Sequence, residues 1–148
     1  MSLHTAGAIV SFYDKLEENA SLLYHALAEK YPEHRQKFLD LATTHLKQKQ
    51  TLLRAYREAV TDASEVGFSF LGLNEDTYIV QAEISKDCSL PKDLEKAIET
   101  EEKTIRFCAD ASRSSSGLLG DLSEAFKRAA AKEVDNKMIL KKLLEGAK

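Results

Sequence analysis

The chain has 148 residues, of which 43% are hydrophobic and 30% charged, a composition that suits one soluble globular domain and argues against disorder. Its 21 basic and 24 acidic residues give a net charge of -3, which argues against sequence-independent nucleic-acid binding because that role needs a basic face. Six glycines and two prolines are few for the turns of an all-β fold, so an α-helical protein is expected.

Helical periodicity dominates the first sixty residues. One apolar face is predicted for the first helix, formed by Phe12, Leu16, Ala20, Leu23, Leu27 and Tyr31. This helix begins at Ser11 or as early as Thr5, since both residues can cap a helix. Pro32 ends it or opens the next one, because proline is tolerated in a first turn and not in a helix interior. A second helix is predicted from about Glu33 to Asp62.

The period breaks over residues 63–90. Two glycines and clustered apolar residues lie between 65 and 73, and the pattern after them fits neither helix nor strand clearly. We expect a long crossover here that includes a short helix around Asp76 to Lys86.

Two further helices are predicted in the second half of the chain. The third begins near Pro91 and continues to Ala111, and the serine- and glycine-rich residues 112–120 indicate a loop. The fourth opens at Asp121, where Glu124 completes a capping signal. Four long helices with one long central connection predict an all-α four-helix bundle.

The two halves of the chain resemble each other. The first and third helices share spacings of three and seven residues, in Glu17-Ala20-Tyr24 and Glu101-Thr104-Cys108. The second and fourth share spacings of four and seven, in Phe38-Ala42-His45 and Phe126-Ala130-Glu133. Each helix therefore carries one ionisable residue on or beside its apolar stripe. Charged residues are uncommon there unless they are paired or bound to metal.

The pattern Glu-x-x-Ala-x-x-x-Tyr at residues 17–24 is followed on the next helix by the pattern Leu-Ala-x-x-[Glu]-x-x-[His], which has His45 and Gln48 at its last two positions here. This pair of patterns, repeated in the second half with substitutions, resembles the rubrerythrin branch of the ferritin-like proteins. The resemblance covers nearly the whole chain and implies a single ferritin-like domain over residues 1–148, with the long crossover between helices 2 and 3. Proteins of this kind hold two iron or manganese ions. Their ligands are one Glu from each of two helices and a Glu-x-x-His from each of the other two.

Carried onto this chain, the resemblance implies a degraded metal site. Three of six expected ligands are retained: Glu17, Glu101 and Glu133. The other three positions carry His45 in place of a bridging Glu, and Gln48 and Asn136 in place of the histidines. Tyr24 stands where the family has a tyrosine that hydrogen-bonds to the metal ligands. Two metal ions at bonding distance need bridging carboxylates, so an ordinary di-iron centre is not expected.

Three uses of the remaining cluster stay open. A single divalent ion, Fe(II), Mn(II) or Zn(II), suits the set Glu17, His45, Glu101 and Glu133, supported by Tyr24, Gln48 and Asn136. Alternatively no metal binds, and a protonated His45 between two carboxylates, together with the two amides, hydrogen-bonds to the glutamates. A third option is a di-metal site with other ligands, for which the nearby acids are Glu18, Glu102 and Asp135.

The function expected from this resemblance is a binding or structural protein without di-iron redox activity. The alternative is a metal-binding oxidoreductase that handles peroxide or oxygen, or an iron-storage type of protein. Cys88 and Cys108 form no Cys-x-x-Cys pair, so a redox cycle would need a separate reductant, and both thiols are expected to be reduced. We also expect a homodimer, and a cytoplasmic location, since no signal peptide or apolar run of roughly 20 residues is present.

Overall fold

Four long α-helices make up most of the computed structural model, which describes residues 2–3, 5–62, 73–80, 84–115 and 120–147. The helices are α1 (Ala6–Lys30), α2 (Arg35–Asp62), α3 (Leu90–Ser115) and α4 (Gly120–Ala147). Two short strands, β1 (Ser2–Leu3) and β2 (Leu73–Asn74), pair antiparallel, and 3-10 turns span Pro32–His34 and Glu75–Thr77. The prediction of an all-α chain with four long helices is confirmed.

The starts of α1 and α2 show which of the predicted start residues are used in the structure. Thr5 caps α1, because its hydroxyl accepts a hydrogen bond from the backbone N–H of Ala8 at 3.1 Å. The earlier of the two predicted starts is therefore correct. Pro32 opens the 3-10 turn that separates α1 from α2, so α2 begins at Arg35, two residues after the predicted start.

The helices pack so that α1 runs antiparallel to α3 and α2 antiparallel to α4. Along α1, Phe12 packs on Phe107 with ring centroids 5.2 Å apart, whereas Tyr31 reaches back to Asp93 near the start of α3. The end of α2 packs with Phe12, so α2 ends at one end of the bundle while α3 begins at the other. The connection between α2 and α3 therefore joins opposite ends of the bundle.

Two apolar clusters fill the core. One cluster surrounds Phe12, Phe107 and Phe126, and the other surrounds Leu27 and Phe38. On every helix the residues of the first cluster are separated from those of the second by a short gap in sequence. The four gaps hold the ionisable residues of the repeat, so a polar layer crosses the middle of the bundle.

The short helix predicted around Asp76 to Lys86 is wrong. The structure describes residues 78–80 and 84–86 of this segment, which follow the Glu75–Thr77 turn, and none of them is helical. Tyr78 explains this, because its ring is buried against Phe12 and Phe107 and its hydroxyl donates to Asp110 at 2.6 Å, which ties the segment to the core.

The loop predicted over 112–120 is wrong at both of its ends. Residues 112–115 continue α3, Gly120 already belongs to α4, and 116–119 lie outside the described residues. The buried serines satisfy their hydroxyls inside the helical pair, since Ser112 bonds to Ser123 at 3.0 Å and Ser115 donates to the carbonyl of Ala111 at 2.8 Å. Serine content alone is therefore a poor loop signal here.

None of the helices within the described ranges combines the length and the apolar character that a bilayer-spanning helix requires.

Candidate metal centre

Four buried ionisable side chains meet in the polar layer, one from each helix. Glu17 comes from α1, His45 from α2, Glu101 from α3 and Glu133 from α4, and all four are 0% exposed. The sequence repeat predicted exactly these residues, and the structure brings all four together. Their convergence follows from the antiparallel packing, because each residue sits in the gap between the two apolar clusters on its own helix.

His45 occupies the centre of the group. Its Nδ1 lies 3.0 Å from Glu17 Oε2, and its Nε2 lies 2.7 Å from Glu101 Oε1 and 3.5 Å from Glu133 Oε2. Burial by itself lowers the pKa of His45, but the charge of Glu101 and the hydrogen bonds with Glu101 and Glu17 outweigh it and raise the pKa to about 10. At neutral pH the side chain is an imidazolium that donates from both ring nitrogens.

The pKa values of Glu101 and Glu133 shift in opposite directions. Burial acts to raise the pKa of Glu101, but the charge of His45 and the hydrogen bonds from His45 and Tyr24 hold it below its ordinary value. Burial, followed by the charges of Glu17 and Glu101, raises the pKa of Glu133 well above its ordinary value. Glu133 therefore takes up a proton more readily than Glu101, because one imidazolium cannot neutralise three buried acids.

Tyr24 and Asn136 support the group as predicted. The Tyr24 hydroxyl donates to Glu101 Oε1 at 2.6 Å, and its ring stacks on His45 with centroids 5.4 Å apart and planes 23° apart. Asn136 Nδ2 donates to Glu133 Oε2 at 3.2 Å. Gln48, the third predicted supporting residue, has a buried Nε2 that bonds to no other described residue.

Three carboxyl oxygens in the cluster lack hydrogen-bond partners among the described residues. They are Glu17 Oε1, Glu101 Oε2 and Glu133 Oε1. Glu17 and Glu101 both lie within hydrogen-bonding reach of Glu133, so one proton on Glu133 can pair two of these oxygens and leaves at least one unpaired by the described residues, at a cost of about 1–3 kcal/mol. A cation bound among these oxygens would offset that cost.

The donor geometry fits a single metal ion. Glu17, His45 and Glu133 each offer one ligand atom, and these atoms lie within 4.8 Å of one another. Two carboxylates and one imidazole are donors that Fe(II), Mn(II) and Zn(II) accept. Glu101 lies outside this triad, since its Oε1 is shared by His45 and Tyr24. The predicted set of four therefore divides into a triad and one partner of His45.

The additional acids considered for a di-metal site lie on outer surfaces. The side chain of Glu18 is 60% exposed and pairs with Lys49 at 2.9 Å. Glu102 is 53% exposed, 3.7 Å from Lys137, and Asp135 is also exposed. A di-metal site that uses these three acids is wrong.

Two buried side chains beside the cluster were not predicted as part of it. The Tyr13 hydroxyl is buried without a hydrogen-bond partner among the described residues, one helical turn before Glu17. Cys108 is a free, fully buried thiol whose pKa is raised by burial and then by the charges of Glu17 and Glu101. Both lie on apolar stripes, where an aromatic ring or a thiol normally serves as core packing.

Comparison with protein-family models, with curated protein sequences and with solved structures gives no match to this chain.

Proposed function

We propose that this protein is a ferritin-like four-helix bundle, similar to rubrerythrins, whose centre binds one divalent metal ion instead of a di-iron pair. The observation that carries the proposal is the set of fully buried carboxyl oxygens around His45, which the described residues do not all satisfy. Glu17, His45 and Glu133 supply the ligands, and Glu101 holds the imidazole in place through Nε2. The protein is accordingly a metal-binding protein without di-iron redox activity.

The helix arrangement supports the ferritin-like part of the proposal. The helices of each sequential pair lie side by side, and a long connection joins opposite ends of the bundle between α2 and α3. The halves are related in sequence, and each contributes two residues to the same central layer. Bundles with one long crossover and inward-facing carboxylates belong to the ferritin-like class.

The ligand set supports one ion over two. Two metal ions side by side need carboxylates that bridge them, and one bridging position is occupied by His45, whose neutral imidazole does not bridge two ions. Gln48 and Asn136 replace the two expected imidazole ligands, and Asn136 directs an N–H at Glu133. An amide oxygen is a poorer ligand for iron than the imidazole it replaces, so the remaining donors favour one ion over a di-iron pair.

A second candidate function is a metal-free structural core. The specific observation in its favour is that both ring nitrogens of His45 already meet carboxylates, at 3.0 and 2.7 Å. In this state the imidazolium supplies the positive charge that a metal ion supplies in the first candidate. The bundle then serves as a binding or structural protein through its surface.

Elemental analysis distinguishes the two candidates. Protein purified without chelators and then dialysed against Fe(II), Mn(II) or Zn(II) is expected to retain about one equivalent. Glu17→Gln should lose the ion, whereas Glu18→Gln, the adjacent exposed acid, should retain it. A content far below one equivalent, with helicity unchanged by chelation, would leave only the structural core.

A gain-of-function variant tests the assigned register. Replacing three residues together, by His45→Glu, Gln48→His and Asn136→His, restores every ligand that the ferritin-like pattern lacks. The triple variant should bind two equivalents of iron if the helix positions correspond as proposed. Iron binding no greater than that of the parent protein would show that the register is wrong.

A further inference from the structure

The outer face of α4 carries an apolar patch that the described part of the chain leaves uncovered. Its members are Val134, Met138 and Ile139, which are 41%, 58% and 42% exposed. The patch lies on the side of the helix that points away from the bundle, because Glu133 and Leu140 on the same helix are buried in the core. Large apolar side chains clustered on a surface are typical of a contact with another protein.

Charged and small residues extend this face along the helix. Five exposed residues at steps of four, three, four and four form one row on α4: Ala131, Asp135, Met138, Lys142 and Gly146. The row therefore has an apolar residue in the middle, an acid on one side of it and a base on the other. Among the residues that the structure describes, none forms an ion pair with Asp135 or Lys142.

This row is complementary to itself when two copies of the helix lie antiparallel. In a pair related by a two-fold axis, each residue faces the partner's residue on the opposite side of the axis at the same distance. With the axis between Met138 and Ile139, Asp135 faces the partner's Lys142, because 135 and 142 are equally far from that midpoint. At the ends of the row Ala131 faces the partner's Gly146, whose surroundings are open, so no bulky side chain keeps the helices apart.

The charges select the antiparallel orientation. In a parallel pair in register, Asp135 would face the partner's Asp135, and Lys142 would face the partner's Lys142. Like charges would then repel each other at both positions, whereas the antiparallel pair has opposite charges at both. The outer face of α4 thus fits a second copy of the chain in one orientation.

A cleft beside the row adds a further complementary contact. It lies between α2 and α4, has a volume of about 270 Å³, and is lined by Lys37, Asp40, Leu41, Thr44, Ile139 and Lys142. Two lysines and one aspartate give this lining an excess of positive charge. The partner's Asp135, which comes opposite Lys142, brings a carboxylate to the cleft and offsets that excess.

We propose that two copies of the chain associate through the outer face of α4, antiparallel about an axis between Met138 and Ile139. The homodimer expected from the resemblance to rubrerythrins is not tied to any particular helix. The apolar patch, the self-complementary charges and the cleft together assign it to α4. This inference is independent of the metal ion, since Glu133 lies on the inner side of the same helix and takes no part in the contact.

Sedimentation equilibrium of the full chain tests the contact. A single helix pair about 24 Å long makes a small interface, so dissociation in the range of about 1–100 µM is expected and the protein is studied from about 1 to 500 µM. Asp135→Lys and Lys142→Asp, made separately, each place like charges at both symmetric positions and should weaken the dimer about tenfold or more. The two substitutions made together restore opposite charges and should recover most of the lost affinity.

A second pair of variants tests the location of the interface. Met138→Lys places a charge at the centre of the apolar patch and should also weaken the dimer about tenfold or more. Leu22→Lys is the matched control, because Leu22 is 67% exposed but lies on α1. It should leave the association unchanged. Circular dichroism checks that every variant keeps the helicity of the parent protein.

Each outcome bears on the proposal. A parent protein that stays monomeric at the highest concentration refutes it. A dimer that Leu22→Lys weakens as much as Met138→Lys does also refutes it, since the association would then not depend on α4. If the double charge reversal recovers none of the affinity lost in the single variants, the antiparallel register is wrong. Weaker association in the three α4 variants, recovery in the double variant and no change in the control support the α4 interface.

Discussion

Glu133→Gln should make the metal-free protein more stable at neutral pH while abolishing metal binding. Glu133 is fully buried beside two other acids, and its pKa is raised well above the ordinary value of 4.5. Glutamine has the shape of a protonated glutamate and carries no charge at any pH. The variant therefore keeps the packing of the side chain and removes the cost of holding its proton.

The magnitude follows from the proton balance of folded and unfolded chains. A group whose folded pKa is raised contributes stability that is present below its unfolded pKa and lost as the pH rises toward the folded value. For Glu133 the loss starts near pH 4.5 and amounts to about 1.4 kcal/mol per pH unit while the folded protein keeps the proton. The gain of the variant over the parent in free energy of unfolding should therefore grow with pH above about pH 4.5, by at most about 1.4 kcal/mol per pH unit.

Urea unfolding in the presence of a chelator, followed by circular dichroism at about pH 5, 6 and 7, measures this difference. The gain should be small at pH 5 and grow with pH. Glu124→Gln, an exposed acid on the same helix, is the control and should change the free energy of unfolding by less than about 0.5 kcal/mol. A gain that is independent of pH, or a loss of stability at pH 7, would refute the assignment of a buried proton to Glu133.

Three further predictions concern the site and its surroundings. Binding of one divalent ion should release the protons of His45 and Glu133. The apparent affinity for the ion should therefore rise by up to about a hundredfold per pH unit below the pKa of His45. Calorimetry in two buffers with different ionisation enthalpies should count about two released protons. Tyr31→Phe removes a hydroxyl that donates to the buried Asp93 at 2.5 Å, and urea unfolding should show a loss of about 1–3 kcal/mol without loss of metal binding. Phe126→Ala should cost about 3–5 kcal/mol by the same assay, because the ring is fully buried against Tyr13 and Phe107.

The long helices were predictable because their apolar stripes persist over many turns. Leu27 on α1 and Phe38 on α2, for example, are buried as the period requires. The segment around Tyr78 was not predictable, since its conformation is set by ring contacts with residues more than 25 positions away in sequence. Local patterns contain no information about such distant contacts.

The composition of the candidate site was predictable, but the partner of each side chain was not. The internal repeat places Glu17, Glu101 and Glu133 on inward stripes, and all three are fully buried as expected. A protonated His45 between two carboxylates follows from the repulsion among buried acids, but its partners, Glu17 and Glu101, depend on side-chain direction across three helices. Tyr13 escaped notice for a related reason, since only the lack of a hydrogen-bond partner among the described residues distinguishes it from an ordinary core aromatic.

The proton on His45 and a metal ion compete for the same position. Both ring nitrogens of His45 point at carboxylates, so the imidazole can ligate an ion only after it gives up a proton and one of those hydrogen bonds. Glu133 must likewise lose its proton before it becomes a ligand. The cluster therefore has two self-consistent states, one neutralised by protons and one by a divalent ion. The pH and the concentration of the metal ion determine which state is populated. Because Glu133 is the group that destabilises the first state and supplies a ligand in the second, the same substitution should raise stability and remove metal binding. A merely structural glutamate would not link those two effects.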